Sequence, residues 1–154
     1  IRLLFNLFGA FMLKEFIKGN VKIVDSVANW EEALKIGAES LVRNGNIEER
    51  YIQAIIDNVY KNGPYIVLMD GVAMPHSRPE EGVIKKGMSF LKVKNGVDFY
   101  KTEEKVYLFF TLAAEDSDGH QDAIAELADF LGDDEKVEKL IKNDIDEEGL
   151  LNLL

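Results

Sequence analysis

The chain has 154 residues, of which 47% are hydrophobic and 30% charged, the balance of one soluble domain with a proper core. Its formal net charge is −10, with Asp and Glu spread along the whole length, which argues against nucleic acid or an anionic membrane surface as partner, since both need a basic face. No cysteine is present, so disulfides, thiolate metal sites and a cysteine nucleophile are excluded; a cytoplasmic location is expected.

Ile1 to Ile17 is rich in Leu and Phe but broken by Arg2, Asn6, Lys14 and Glu15, too short and too interrupted to span a membrane. Met12 reads as a native start. Residues 1–11 then read either as an extension from upstream of a domain over 12–154, or as a short amphipathic helix packed on its core. Lys22 to Val27 is a first strand. Asn29 is placed to cap a helix, with Glu31 and Glu32 in its positive first turn. Leu34, Ala38, Leu41 and Val42 share one face of that helix, and Asn44-Gly45 ends it. A second helix runs from Ile47 or Glu48 to Lys61 on a stripe of Ile52, Ile55, Ile56 and Val59, stopped by Asn62-Gly63-Pro64.

Tyr65 to Met69 reads as a short buried strand, Asp70-Gly71 as a turn, and Val72 to Met74 as resumed extended chain. Pro75 and Pro79 forbid a regular ladder across the loop that follows. Met88 to Val93 and Val106 to Leu112 are the clearest strands, joined through a turn at Asn95-Gly96. The second is nearly all apolar, as expected of a central strand covered on both faces. From Asp118 the period becomes helical, with Ile124, Leu127, Ala128 and Leu131 on one face and a break at Gly132-Asp133-Asp134. Val137, Leu140 and Ile141 mark another short helix, and Leu150 to Leu154 an amphipathic stretch. The expected fold is α/β, a mixed β-sheet sandwiched by helices in a single domain.

The two histidines carry the chemical interest. His76 lies in Gly71-Val72-Ala73-Met74-Pro75-His76-Ser77-Arg78-Pro79, at the end of an apolar run. Proline fixes the backbone before it, the strand end is a rigid platform, and the loop exposes the ring. A neutral imidazole, with an unperturbed pKa near ~6.5, is a nucleophile at physiological pH. It can take a phosphoryl group without a metal and pass it on, because phosphoramidates are labile. Ser77, through its hydroxyl or backbone N–H, and Arg78 are candidate phosphoryl-binding groups. His120, with Asp118 or Ser117 as N-cap, falls in or near a helix first turn, where free N–H groups and the macrodipole bind anions and keep an imidazole neutral. The competing reading makes both ordinary surface histidines, and Asp116, Asp118 and Asp122 would repel a phosphate unless they point away. The separation of His76 and His120 matches no compact metal-ligand spacing, and no Walker loop, Gly-x-Gly-x-x-Gly or Gly-x-Ser-x-Gly motif occurs. No metal or cofactor is expected.

The stretch from Gly71 to Pro79, with Gly82-Val83 after it, resembles the active-site segment of the type 2, mannitol/fructose-type, enzyme IIA proteins of the bacterial sugar phosphotransferase system. The likeness extends from about Met12 to the end in the order of elements, with Trp30 to Tyr60 as the preceding helix pair and His120-Gln121-Asp122 opening the later helix. It implies a phosphocarrier enzyme: phosphorylated HPr would donate to His76 at Nε2, with His120 as phosphoryl stabiliser. A cysteine of an enzyme IIB partner would then accept the group, and membrane enzyme IIC would use it during sugar uptake. An alternative role for the same chemistry is a regulatory module that controls a transcription factor or enzyme. Two departures stand out. Many members follow the histidine with Gly where this chain has Ser77, and Ile56 to Tyr60 lacks an Arg found near the family's site, which leaves Arg78 or Lys61 to supply charge. The pattern Pro75-His76-Ser77-Arg78-Pro79 with Glu80-Glu81-Gly82-Val83 looks closer to the ascorbate-type branch, which points to L-ascorbate or a related acidic compound as the transported substrate.

Overall fold

The computed structural model describes residues 13–154 and, for residues 117–120, the backbone alone; the expectation for residues 1–11 lies outside the described part. After a helical turn at residues 13–17 come β1 (Val21–Val24), α1 (Trp30–Arg43), α2 (Glu49–Asn62), β2 (Val67–Met69), β3 (Val72–Ala73), a 3-10 turn (Pro79–Glu81), β4 (Gly87–Val97), β5 (Val106–Ala113), α3 (Ser117–Leu131), α4 (Asp134–Lys142) and α5 (Glu147–Leu153). The sheet order is β1-β4-β5-β3-β2, mixed as expected. β1 runs parallel to β4 and β3 parallel to β5, while β4 with β5 and β2 with β3 are antiparallel.

Alternation along the two central strands builds two cores. Leu91, Val93, Phe109 and Ala113 face α1 and α2, where Leu34, Ala38, Leu41, Ile52, Ile55, Ile56 and Val59 meet them. Met88, Phe90, Leu108, Phe110 and Leu112 face the other way, onto Leu127, Phe130, Leu131, Val137, Leu140 and Leu150. Burial on both faces is why β5 reads as a nearly continuous apolar run. Lys92 is buried on the second face, where its ammonium donates to the Asn143 carbonyl at 2.5 Å and burial pushes its pKa down.

Helix boundaries follow their caps. The Asn29 side chain accepts from Glu32 N–H, Asp133 from Lys136 N–H and Asp146 from Gly149 N–H, each satisfying a donor that the first turn leaves open. Three expectations are corrected. Tyr65 to Met69 is not a buried strand: only Val67–Met69 pairs, at the edge of the sheet and with β3 alone, and Leu68 is exposed. Asn95-Gly96 is not the turn between the long strands but part of β4, where Gly96 has φ +71 and the β4–β5 register shifts between Lys92 and Val97. That is a bulge, a place that favours glycine at positive φ. In α3, Phe130 takes the core position expected of Ala128, which is exposed.

Gly82 couples the loop after His76 to α2. It has φ +140, and its carbonyl accepts from Glu48 N–H at 2.8 Å. A Cβ there would lie 2.8 Å from Tyr51 Cβ and 3.1 Å from Tyr51 N, contacts that a side-chain rotation cannot relieve. Gly82→Ala is therefore expected to destabilise the fold by about 1–3 kcal/mol, the usual cost of overpacking. Urea unfolding measures this, and an unchanged midpoint would contradict the packing described.

Candidate functional site

β3 ends at Ala73, and residues 74–78 leave the sheet without regular structure. Met74 is fully buried and its N–H donates to the Ile66 carbonyl at 2.8 Å; the Pro75 carbonyl accepts from Leu112 N–H at 2.9 Å. The chain is thus tied to β5 and to the segment before β2 as it emerges, and two residues later His76 is half-buried.

His76 Nδ1 lies 2.7 Å from the Met74 carbonyl oxygen. A carbonyl can only accept, so Nδ1 carries the proton of the neutral ring and the lone pair sits on Nε2. Tyr65 packs edge-on against the imidazole, ring centroids 5.4 Å apart at 78°, and its hydroxyl donates to the His76 carbonyl. Burial raises the Tyr65 pKa.

Ser77 is held from three sides. Its N–H donates to the Tyr51 hydroxyl at 2.8 Å, its hydroxyl donates to Glu81 Oε1 at 2.6 Å, and that hydroxyl accepts from Asn58 Nδ2 at 2.8 Å. The Tyr51 oxygen also lies 3.1 Å from the Ser77 carbonyl and 3.0 Å from the Leu112 carbonyl, so one phenolic proton bridges the loop to the end of β5. Burial pushes the Tyr51 pKa up to about 12. The Ser77 hydroxyl, first among several donors, holds the Glu81 carboxyl below the usual range.

His76 opens onto a cleft of about 700 Å³ that Lys61, Asn62, Tyr65, Arg78 and Asp116 also line. Lys61 and Arg78 are both exposed there, one from the end of α2 and one from the loop. β3 and β5 are parallel, so their carboxyl ends share one end of the sheet, where open α/β folds bind ligands. α3 follows β5 at that end and begins at Ser117, so Ser117 and Asp118 lie within its first turn rather than before it. His120 is in that turn too. Its side chain lies outside the described part.

Of the residues expected at the site, His76, Ser77 and Arg78 line the cleft. Both Ser77 donors are engaged within the protein, and a phosphoryl oxygen would have to displace one of those bonds. Tyr51, Asn58, Tyr65 and Glu81 were not anticipated. A signal existed for two of them: Tyr51 and Asn58 are seven residues apart on one face of α2, and Asn58 is a polar residue beside an apolar stripe. Among the described residues no cluster of three His, Asp or Glu could hold a metal, and no helix is long and apolar enough to cross a membrane. The arrangement offers an imidazole nitrogen of defined tautomer in an open cleft lined by two cations, Lys61 and Arg78, and by three carboxylates, Glu80, Glu81 and Asp116, so an anionic electrophile would have to be met on the side of the cations.

Residues 15–154 match the sequence model of the phosphoenolpyruvate-dependent sugar phosphotransferase system EIIA 2 family. The mannitol-specific cryptic phosphotransferase enzyme IIA component of Escherichia coli K12 is 40% identical over 126 residues, 82% of this chain and 86% of that protein. The ascorbate-specific EIIA component of the same strain is 38% identical over 123 residues, 79% of this chain and 80% of that protein. The solution structure of the E. coli mannitol-specific cryptic enzyme IIA superposes with a TM-score of 0.84 at 37% identity, covering 92% of this chain and 96% of that one. E. coli mannitol enzyme IIA in complex with phosphorylated enzyme IIB superposes with a TM-score of 0.73 at 29% identity, covering 86% and 94%.

Tyr51→Phe would leave the Ser77 N–H and the Leu112 carbonyl short of a partner, and is expected to cost about 1–3 kcal/mol in urea unfolding. The unfolded phenol ionises near 10.0 and the folded one near 12, so this contribution is full below pH 10 and is lost as pH rises to about 12. The loss of stability over that range should be smaller in Tyr51→Phe. Equal alkaline profiles for the two proteins would contradict a buried, bridging hydroxyl.

Proposed function

The chain belongs to the EIIA 2 family of the phosphoenolpyruvate-dependent sugar phosphotransferase system, and from that premise we propose that His76 accepts a phosphoryl group from phospho-HPr and passes it to a cysteine of an enzyme IIB partner. The observation that carries this reading is the Met74 carbonyl on His76 Nδ1, which places the lone pair on Nε2. In the first step that pair attacks phosphorus, a new Nε2–P bond forms, and the donor's N–P bond breaks with its electron pair returning to the donor ring. In the second, the cysteine thiolate attacks phosphorus, the Nε2–P bond breaks, and Nε2 recovers its pair. The proton stays on Nδ1 throughout, and its hydrogen bond to the Met74 carbonyl stabilises the positive charge of the phosphorylated ring.

The phosphoryl group brings negative charge into the cleft, and Arg78 and Lys61 are the cations available to it from the rim. In this reading they supply the charge for which the chain has no Arg between Ile56 and Tyr60. His120, in the first turn of α3, is the further donor in this reading: the helix N-terminus favours its neutral form, and one ring N–H then bonds a phosphoryl oxygen. The complex of a relative with phosphorylated enzyme IIB supports a IIB partner here. The ascorbate-specific relatives and the Pro75-His76-Ser77-Arg78-Pro79 pattern support L-ascorbate as the transported compound. The 40% identical mannitol-specific relative supports a mannitol-type system as the second reading.

Incubation with phosphoenolpyruvate, enzyme I and HPr should add one acid-labile phosphoryl group to the wild type, read by intact mass, and none to His76→Ala. His120→Ala should still be labelled, with transfer slowed about a hundredfold, the usual effect of losing one such donor. Normal labelling of His76→Ala would overturn the assignment, and an unchanged rate in His120→Ala would remove that residue from the mechanism. Faster discharge to the IIB of an ascorbate system than to that of a mannitol system identifies the pathway, and the reverse order reassigns it.

A further inference from the structure

Ser77 is the residue directly after the histidine, and it reaches Glu81 across the 3-10 turn that opens with Pro79. One carboxylate oxygen, Glu81 Oε1, receives the Ser77 hydroxyl at 2.6 Å, the Arg78 N–H at 3.3 Å and the Asn58 amide at 3.4 Å. Asn58 also donates to the Ser77 oxygen at 2.8 Å, so the three side chains form a closed ring of contacts between the loop and α2. The other bonds made by Ser77 go to neutral groups. A charged acceptor makes the bond to Glu81 about twice as strong as a neutral one.

We propose that Glu81 is a positioning residue for phosphoryl transfer: it fixes Ser77, and through Ser77 the backbone that keeps His76 Nδ1 on the Met74 carbonyl and Nε2 toward the cleft. This rests on His76 being the phosphoryl acceptor. The ordinary role for a carboxylate here is to stabilise the turn. The positioning role demands more. The tautomer of His76 depends on a contact between residues 74 and 76, and the chain on the far side of His76 is held by Ser77. Without the carboxylate, the Ser77 hydroxyl and the Arg78 N–H lose their acceptor, and the loop keeps on that side the bonds of Ser77 to Tyr51 and Asn58 and that of Tyr65 to the His76 carbonyl, all of them to neutral groups. The imidazole then samples orientations in which Nε2 no longer lines up with the incoming phosphorus. Misplacement of that kind costs rate at saturating donor rather than affinity, because the docking surface is untouched.

The test is a set of four proteins: Glu81→Ala, Glu81→Gln, Ser77→Ala and the Glu81→Ala/Ser77→Ala double variant. Each is assayed for phosphorylation over a range of phospho-HPr concentrations and for the His76 ring-nitrogen shifts by NMR in the unphosphorylated state. Glu81→Ala should lower the maximal rate roughly ten- to a hundredfold with an unchanged half-saturating concentration. Its ring-nitrogen shifts should move from one defined tautomer toward an average of the two. Glu81→Gln keeps an acceptor oxygen for Ser77 and should recover most of the rate. The double variant should be little worse than the slower single variant, because the two residues act in series. A folded Glu81→Ala with wild-type maximal rate and wild-type shifts would overturn the proposal, as would fully multiplicative effects in the double variant. The NMR arm does not depend on transfer. If the wild type takes no phosphoryl group, the carrier reading fails, while the tautomer shift in Glu81→Ala still decides whether Glu81 positions the ring.

Discussion

Val72 and Ala73, paired parallel with Leu108 and Phe109, carry the chain to the end of the sheet at which β5 also finishes. Everything chemical in this molecule depends on that short ladder. It extends beyond the named strand through the Leu112 N–H on the Pro75 carbonyl, and it begins at Gly71, whose carbonyl accepts from Tyr107 and Leu108. A parallel pair delivers both carboxyl ends to one side, so the loop with His76 and the helix with His120 leave the sheet together. An antiparallel arrangement of the same two strands would have sent them to opposite ends.

The site is then made rigid by polar groups rather than by apolar packing. Met74 is the last residue of the loop with its side chain in the core, and beyond it the chain is held by hydrogen bonds to Tyr51, Tyr65, Asn58 and Glu81. Tyr51 links three elements, because its ring is part of the α1–α2 core while its hydroxyl reaches both Ser77 and Leu112. Gly82 allows this by admitting the backbone of α2 at a distance no side chain would permit. The result is an imidazole whose proton position is set by the loop itself. In the proposed transfer such an imidazole needs no base to activate it, and Arg78 and Lys61 on the rim are the cations proposed to meet the incoming charge.

Much of this was legible in the sequence, for identifiable reasons. The cap at Asn29, the break at Gly132-Asp133-Asp134 and the stop at Gly63 are local signals, and they set helix ends to within a residue or two. The apolar run of β5 announced a strand covered on both faces, and the Pro75-His76 segment announced the irregular loop that opens onto the cleft. The failures are equally specific. Asn95-Gly96 carries a strong turn signal, yet a glycine at positive φ serves a bulge as well as a hairpin, and only pairing distinguishes the two. Tyr65 to Met69 looked buried because it is apolar, but Tyr65 turns toward His76 and Leu68 toward solvent. The network around Ser77 was hidden for a different reason. Tyr51 and Asn58 lie 26 and 19 residues away from it in the chain, and which polar groups meet across that gap depends on how α2 is rotated against the loop.

In the proposed transfer the Met74 carbonyl holds the proton on Nδ1 and so directs the phosphoryl group to Nε2. Phosphorus–nitrogen coupling in the phosphorylated protein, with isotope-labelled histidine, reports the bonded nitrogen directly. The geometry requires coupling to His76 Nε2 with the Nδ1 proton still present and shifted by its hydrogen bond. A phosphoryl group on Nδ1, or on a residue other than His76, would contradict it.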